Sequence, residues 1–187
     1  MKTAQVTLIP LEESDREQFI KDNQWAFKYG STEEFGMRND QFEEGGEIIS
    51  RKTIEDCIDR GEAYRIWCNG EKAGGVVIHT DGERGELDLL FTLPEVHGRG
   101  VGHGAWLEIE RMHPEVLVWE TLTPYFETRN IHFYVNKCGF HIVEFFNPMH
   151  PEPDGPDSGP HEEDDEDGDP GGTGLDFRFQ KVMKGNS

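Results

Sequence analysis

Gly98, Gly100, Gly102 and Gly104 fall at every second position of the stretch Pro94-Glu-Val-His-Gly-Arg-Gly-Val-Gly-His-Gly-Ala-Trp106. A residue without Cβ lets the backbone come close to a bound group. Glu86 to Leu93, just before this stretch, reads as a strand. Leu107, Ile109 and Met112, just after it, repeat at helical spacing up to Pro114. The glycines therefore stand where a strand turns into a helix. The first N–H groups of a helix have no partner inside it, and the helix dipole is positive at that end. A phosphate is the guest such a turn suits, and Arg99 and His103 can add charge or donors.

The other residues with chemistry to offer are carboxylates and a tyrosine. Glu86 and Asp88 are two apart on one strand, so they share a face, and either can act as a base directly or through water. Glu120 on the next strand is a third acid of this kind. His79, His103 and His132 read as surface or packed histidines, and no His, Cys or Asp cluster has metal-ligand spacing.

The glycine loop lacks the Lys-Ser/Thr ending of a triphosphate loop and the G-x-G-x-x-G order of a dinucleotide site. His97-Gly98-Arg99-Gly100-Val101-Gly102 resembles instead the acyl-CoA loop of the GNAT superfamily of N-acetyltransferases, Gln/Arg-x-x-Gly-x-Gly/Ala, with His97 in the first place. A second stretch, Asn130 to Phe140, is similar to the family's Asn-x-x-Ala-x-x-Phe-Tyr-x-x-x-Gly-Phe, its specific part being Phe133-Tyr134 followed by Gly139-Phe140. The resemblance implies an acetyltransferase that binds acetyl-CoA through Leu93, His97, Gly98, Arg99, Gly100, Val101, Gly102 and His103, with Asn130 on the pantetheine arm or capping its helix. It further implies Tyr134 as the acid that protonates the departing thiolate; the base such a reaction needs is then Glu86 or Asp88 by their strand spacing, with Glu120 a third candidate. The acceptor is then a primary amine of a small molecule or peptide, and a homodimer is compatible with the family. Acceptor recognition in that fold comes from the early helices, which here implies Trp25, Phe27, Tyr29 and Phe35, with Glu33 and Glu34 beside them, as walls of a cleft for an amine with an apolar or cationic body. Two other readings are open: a catalytically silent CoA-binding sensor or interaction domain, and a binding module whose working part is an acidic tract.

The elements follow in order. Val6 to Ile9 reads as a strand. Ser14 and Glu17 form a capping box for a helix to about Lys28. Residues 30–49 read as a loop, Ser50 to Arg60 as a helix stopped by Gly61. Ala63 to Cys68 and Ala73 to His79 are strands joined by the Asn69-Gly70 hairpin turn. The chain continues with strand Gly85–Leu93, the glycine loop and its helix, strand Val116–Thr121, helix Thr128–Lys137 and strand Phe140–Phe146. Leu175 to Met183 alternates as a last strand. The expected fold is α/β: a GNAT-like mixed, mostly antiparallel sheet flanked by helices, with a long acidic loop before the last strand.

The chain has 187 residues, three cysteines and a formal net charge of −20. One domain, 1–187, is expected. Ten acids and no Lys or Arg lie between Pro148 and Gly174, so 148–174 reads as a disordered acidic loop inside that domain. The remaining 28 acids against 18 bases still repel nucleic acid and anionic membranes. Neither a signal peptide nor a membrane-length apolar run is legible, and the odd cysteine count suits a reducing compartment, so the cytoplasm is the expected location.

Overall fold

The computed structural model describes residues 5–35 (of 31–35 the backbone alone), 49–125, 127–153 and 175–184. Within them, seven strands form one sheet in the order β1-β2-β3-β4-β5-β7-β6. The strands are β1 (Val6–Pro10), β2 (Glu62–Cys68), β3 (Glu71–Asp81), β4 (Arg84–Thr92), β5 (Val118–Pro124), β6 (His141–Phe146) and β7 (Asp176–Val182). The helices are α1 (Arg16–Phe35), α2 (Arg51–Arg60), α3 (Val101–Met112) and α4 (Thr128–His132). Each neighbouring pair of strands is antiparallel except β4 and β5. The last strand, β7, pairs with β6 and also slots against β5. Residues 154–174, most of the acidic stretch, lie outside the described residues.

Local chemistry accounts for most element ends. Asn69 and Gly70 both have positive φ, 53° and 87°, as a two-residue hairpin turn requires. Ser50 caps α2 by accepting the Thr53 N–H at 3.0 Å. Three expectations are corrected. The Ser14–Glu17 capping box does not form: Ser14 turns to Glu12, and Arg51 of α2 holds both Glu17 oxygens at 3.0 and 2.7 Å. A charged pair to a neighbouring helix has displaced the local bond. The loop expected from residue 30 starts later, because α1 runs on to Phe35; an established helix propagates without needing apolar periodicity in its last turn. Gly61 stops α2 through packing, not a left-handed cap. Its φ is −118°, and a Cβ there would lie 2.5 Å from the Ile78 carbonyl oxygen.

Both faces of the sheet are covered by apolar side chains. Trp106 and Ile109 of α3, with Tyr134 and Phe140, pack on Ile66, Val76, Ile78, Leu87, Trp119 and Phe179. On the opposite face, Phe19 and Ile20 of α1 and Ile54 of α2 pack on Val77, Leu89 and Phe91. Leu87 and Leu89 are two residues apart, yet they serve opposite faces. A β-bulge is the cause. Val77 pairs with Leu89 and Ile78 with Leu87, which leaves Asp88 as an extra residue without a partner on β3.

The bulge sits where the sheet opens. β4 and β5 pair through three rungs only, Arg84 with Val118, Gly85 with Trp119 and Glu86 with Glu120. Beyond Glu86, β4 follows β3 while β5 follows β7, so the sheet forks. A bulge bends its strand and increases local twist, which turns β4 away from β5. One segment after α4 is unusual too. Phe133–Lys137 is a π turn, closed by the Cys138 N–H on the Phe133 carbonyl at 3.0 Å. Four residues separate Tyr134 from Gly139, one more than in the family pattern, and a π turn is how a helix absorbs one extra residue.

Candidate active site

The fork opens onto a cleft of about 570 Å³. Leu90, Phe91 and Thr92 line it from the end of β4, and Ala26, Phe27 and Gly30 from α1. The glycine loop contributes His97, Gly98 and Gly100 to His103; Glu127 just before α4 lines it too, and α4 and the π turn contribute Arg129, Asn130, His132, Phe133, Tyr134 and Lys137.

The alternate glycines turn out to have separate reasons. Gly98 and Gly100 have φ of 76° and 75°, and a Cβ at either would meet nothing within 4 Å; they are needed for the left-handed turn into α3. Gly100 is the N-cap of α3, and the Gly104 N–H makes the first bond of the helix to its carbonyl, at 2.9 Å. The N–H groups of Val101, Gly102 and His103 come before that bond and lie outside the helix ladder. Val101 is buried and anchors the turn. Gly102 lines the cleft, with the Phe133 ring 3.5 Å from where its Cβ would be. Gly104 is a packing residue, since its Cβ would come within 2.8 Å of Val6 Cγ2 on β1.

His97 is held on both ring nitrogens. Nε2 lies 3.1 Å from the Thr92 carbonyl oxygen, and Arg129 Nη2 lies 3.2 Å from Nδ1. One neutral tautomer satisfies both, with Nε2–H donating and Nδ1 accepting. His97 therefore ties the end of β4 to α4, and Tyr29 packs edge-on against it at 5.8 Å. Leu93 and Arg99 lie outside the cleft lining. Leu93 donates its N–H to Ala73, and Arg99 is exposed. The Asn130 side chain donates to Glu127 Oε2 at 3.5 Å, both facing the cleft.

Tyr134 is buried among the rings of Phe133, Phe140 and Phe179. Thr121 Oγ1 donates to the Leu87 carbonyl at 2.9 Å. Thr121 and Leu87 are the first residues of β5 and β4 beyond their last rung, so this bond bridges the two strands at the apex of the fork. Burial pushes the Tyr134 pKa up, and the phenol stays protonated throughout the neutral range.

Glu86 and Asp88 lie apart from the cleft lining. Asp88 faces α2, where Arg60 Nη2 binds its Oδ1 at 2.6 Å. Its side chain is only 2 % exposed, and Oδ2 has no hydrogen-bond partner among the described residues. Burial raises the Asp88 pKa, with Arg60 opposing. A Cβ on Gly85 would meet the Trp119 ring, so strand alternation turns Glu86 to the α2 side as well. Burial raises its pKa, and the charge of Asp88 adds to the effect. Glu120 is committed to Arg84, Arg178 and Gln180 at 3.0 to 3.3 Å, which leaves it poorly placed as a base. Of the aromatic residues expected to receive an acceptor, Phe27 lines the cleft, Trp25 is exposed and Tyr29 supports His97; the side chains of Glu33, Glu34 and Phe35 lie outside the described residues.

Sequence reasoning passed over Thr92, Thr121, Glu127, Arg129 and Lys137. Thr121 did carry a signal. Trp119, Thr121 and Thr123 alternate on the buried face of β5, and a hydroxyl at a core position of a strand needs a polar partner. Among the described residues, no His, Cys, Asp and Glu group could hold a metal ion, and no helix is long and apolar enough to cross a membrane.

A forked mixed sheet with a glycine turn at the mouth of the fork is an acetyltransferase architecture, and the comparisons agree. The sequence profile of the Acetyltransferase (GNAT) family matches residues 20–140, and the chain belongs to that family. It is 41% identical over 192 residues to the protein YrkN of Bacillus subtilis (strain 168), covering 98% of each. Its fold is similar to that of the ribosomal-protein-S18-alanine N-acetyltransferase from Escherichia coli, with a TM-score of 0.60 at 14% identity over 98% of this chain and 97% of that one. A GNAT family acetyltransferase from Elizabethkingia anophelis with acetyl-CoA bound gives the same TM-score of 0.60 at 14% identity, over 98% of this chain and 100% of that one.

Proposed function

We propose that this protein transfers the acetyl group of acetyl-CoA to a primary amine by direct attack, with no covalent enzyme intermediate. One observation carries the reading: the N–H groups of the first turn of α3, outside the helix ladder, and the buried phenol of Tyr134 line one cleft. The donor set fits the acyl donor. The N–H groups of Val101, Gly102 and His103 suit its pyrophosphate, the glycines leave room for close approach, and Arg129 and Lys137 add positive charge. Asn130 faces the path of the pantetheine arm. The acetyl-CoA-bound relative from Elizabethkingia anophelis supports this assignment. Acetyl-CoA brings the activated thioester; the protein orients it and manages protons. Tyr134 holds a proton for the departing sulfur. Glu86, with Asp88 beside it, takes the proton of the acceptor ammonium from the α2 face, directly or through water. The acceptor is a small molecule or a peptide. The test is a panel of primary amines with acetyl-CoA, read as free thiol; the reading requires thiol release that depends on the amine.

A second reading follows from the acids lying off the cleft, with Asp88 tied to Arg60. A CoA-binding domain without turnover would bind acetyl-CoA in a calorimeter and release no thiol with any amine.

A further inference from the structure

We infer that Arg129 grips a phosphate group of the acyl donor, and that His97 is the positioning residue that holds its guanidinium over the cleft. The inference rests on acetyl-CoA as the donor, as in the reading above.

Arg129 and Lys137 line the cleft. Most other described Arg and Lys side chains are committed to carboxylates: Arg51 to Glu17, Arg60 to Asp88, Arg84 and Arg178 to Glu120, Arg111 to Glu108. Among the described residues, Arg129 and Lys137 have no carboxylate in ion-pair range. Glu127, an acid in the same lining, accepts from Asn130. A chain of net charge −20 repels anions at long range, so an uncancelled guanidinium in the cleft is a local exception. The partner Arg129 does have is neutral: Nη2 lies 3.2 Å from Nδ1 of His97.

The imidazole is fixed in turn. The Thr92 carbonyl can only accept, so Nε2, 3.1 Å from it, carries the ring hydrogen. Nδ1 is then bare and accepts from Arg129. Tyr29 packs edge-on against the ring at 5.8 Å. Thr92 ends β4 and His97 directly precedes Gly98, so the frame of the glycine turn sets the ring and the ring sets the guanidinium. An Arg side chain is a rigid fork of several N–H donors. The bond to His97 uses one, and the others remain for a phosphate, which such a fork binds through two parallel bonds. A neutral ring orients the fork without cancelling its charge; a carboxylate in its place would do both.

The experiment titrates acetyl-CoA in a calorimeter into the wild type, Arg129→Gln, His97→Phe, His97→Gln and the double variant His97→Phe with Arg129→Gln, with thermal melts to establish folding. Arg129→Gln should weaken binding about tenfold to a hundredfold. His97→Phe keeps a ring against Tyr29 but loses both ring nitrogens, and should weaken binding about threefold or more. His97→Gln again offers one donor and one acceptor, and should keep the affinity within about twofold. On Arg129→Gln, His97→Phe should cost nothing further. Equal losses from His97→Phe in both backgrounds, or unchanged affinity in Arg129→Gln, overturn the inference. Should His97→Phe not fold, His97→Leu takes its place in the same cycle. S-acetylpantetheine, which carries no phosphate, should bind Arg129→Gln and the wild type alike; a loss there overturns the phosphate contact. Acetyl-dephospho-CoA, which lacks the 3′-phosphate, separates the two phosphate sources. If Arg129 grips the 3′-phosphate, the wild type's preference for acetyl-CoA over this analogue disappears in Arg129→Gln; if it grips the pyrophosphate, Arg129→Gln weakens both equally. A wild type that binds acetyl-CoA and releases no thiol with any amine defeats the acetyl-transfer reading instead, and the titrations still decide the roles of Arg129 and His97.

Discussion

Gly102 and Gly104 are two residues apart in the first turns of α3, and substituting each should damage a different property. At Gly102 the atoms nearest an added Cβ are the Phe133 ring at 3.5 Å and Thr92 Cγ2 at 3.6 Å, ordinary contact distances. Replacing a helical glycine with alanine gains about 0.5–1 kcal/mol from backbone entropy. Gly102→Ala should therefore hold or raise the melting temperature. Gly102→Val adds two methyls beside the N–H groups assigned to the pyrophosphate. Acetyl-CoA affinity should fall at least about tenfold, or about 1.4 kcal/mol, with the fold intact. At Gly104 the added Cβ would come within 2.8 Å of Val6 Cγ2. Overpacking of this kind costs about 1–3 kcal/mol, and each kcal/mol is about 2–4 °C in a chain of this size. Gly104→Ala should thus melt several degrees lower and bind acetyl-CoA with near wild-type affinity below that temperature. Calorimetric titration and thermal melts on the same samples check both. Unchanged affinity in folded Gly102→Val would refute the assignment of this turn to the cofactor. A binding loss in Gly104→Ala at full stability would refute the division of labour between the two glycines.

Tyr134→Phe removes one hydroxyl from a well-packed ring; turnover should drop about 10²–10⁴-fold with little change in acetyl-CoA affinity, and near wild-type turnover with chemistry rate-limiting would make Tyr134 a packing residue. Glu86 has a folded-state pKa above its ordinary value, so the folded chain holds more protons than the unfolded one between the two values, and stability falls as pH rises through that window. Glu86→Gln should accordingly raise the melting temperature at pH 7, with the gain vanishing below the ordinary carboxylate range; an unchanged melt at pH 7 would count against the burial of this acid. The same substitution should slow acetyl transfer at neutral pH and be partly rescued at high pH, where the amine is already deprotonated. Replacing residues 150–173 with a short Gly-Ser turn should leave the melting temperature unchanged or raise it, and a large fall would show that the tract packs on the domain.

Much of the fold was legible in the sequence because it depends on short-range chemistry. The Asn69-Gly70 turn, the Ser50 cap, the alternation of Leu175 to Met183 and the glycine-rich strand-to-helix turn each need only a few neighbouring residues to be read. The Phe-Tyr and Gly-Phe pairs around the π turn are equally local, and they led to Tyr134. The ends set by distant partners were not legible. Glu17 serves Arg51 rather than Ser14, and Gly61 is required by the Ile78 carbonyl across the sheet.

The site divides along the same line. Residue types and spacing by themselves determined that a glycine-rich turn precedes α3, that a tyrosine stands on the following helical segment, and that two acids sit on the strand feeding the turn, because these follow from backbone periodicity. Tertiary structure alone decided what those groups face. The extra residue at Asp88 bends β4 from β5, and no propensity along the strand announces a bulge, since it arises from register against β3. That bend opens the fork, commits Asp88 to Arg60 on the α2 side, and leaves the Leu87 carbonyl to the Thr121 hydroxyl. These contacts join residues tens of positions apart, and such pairings exist only once the sheet has closed around them.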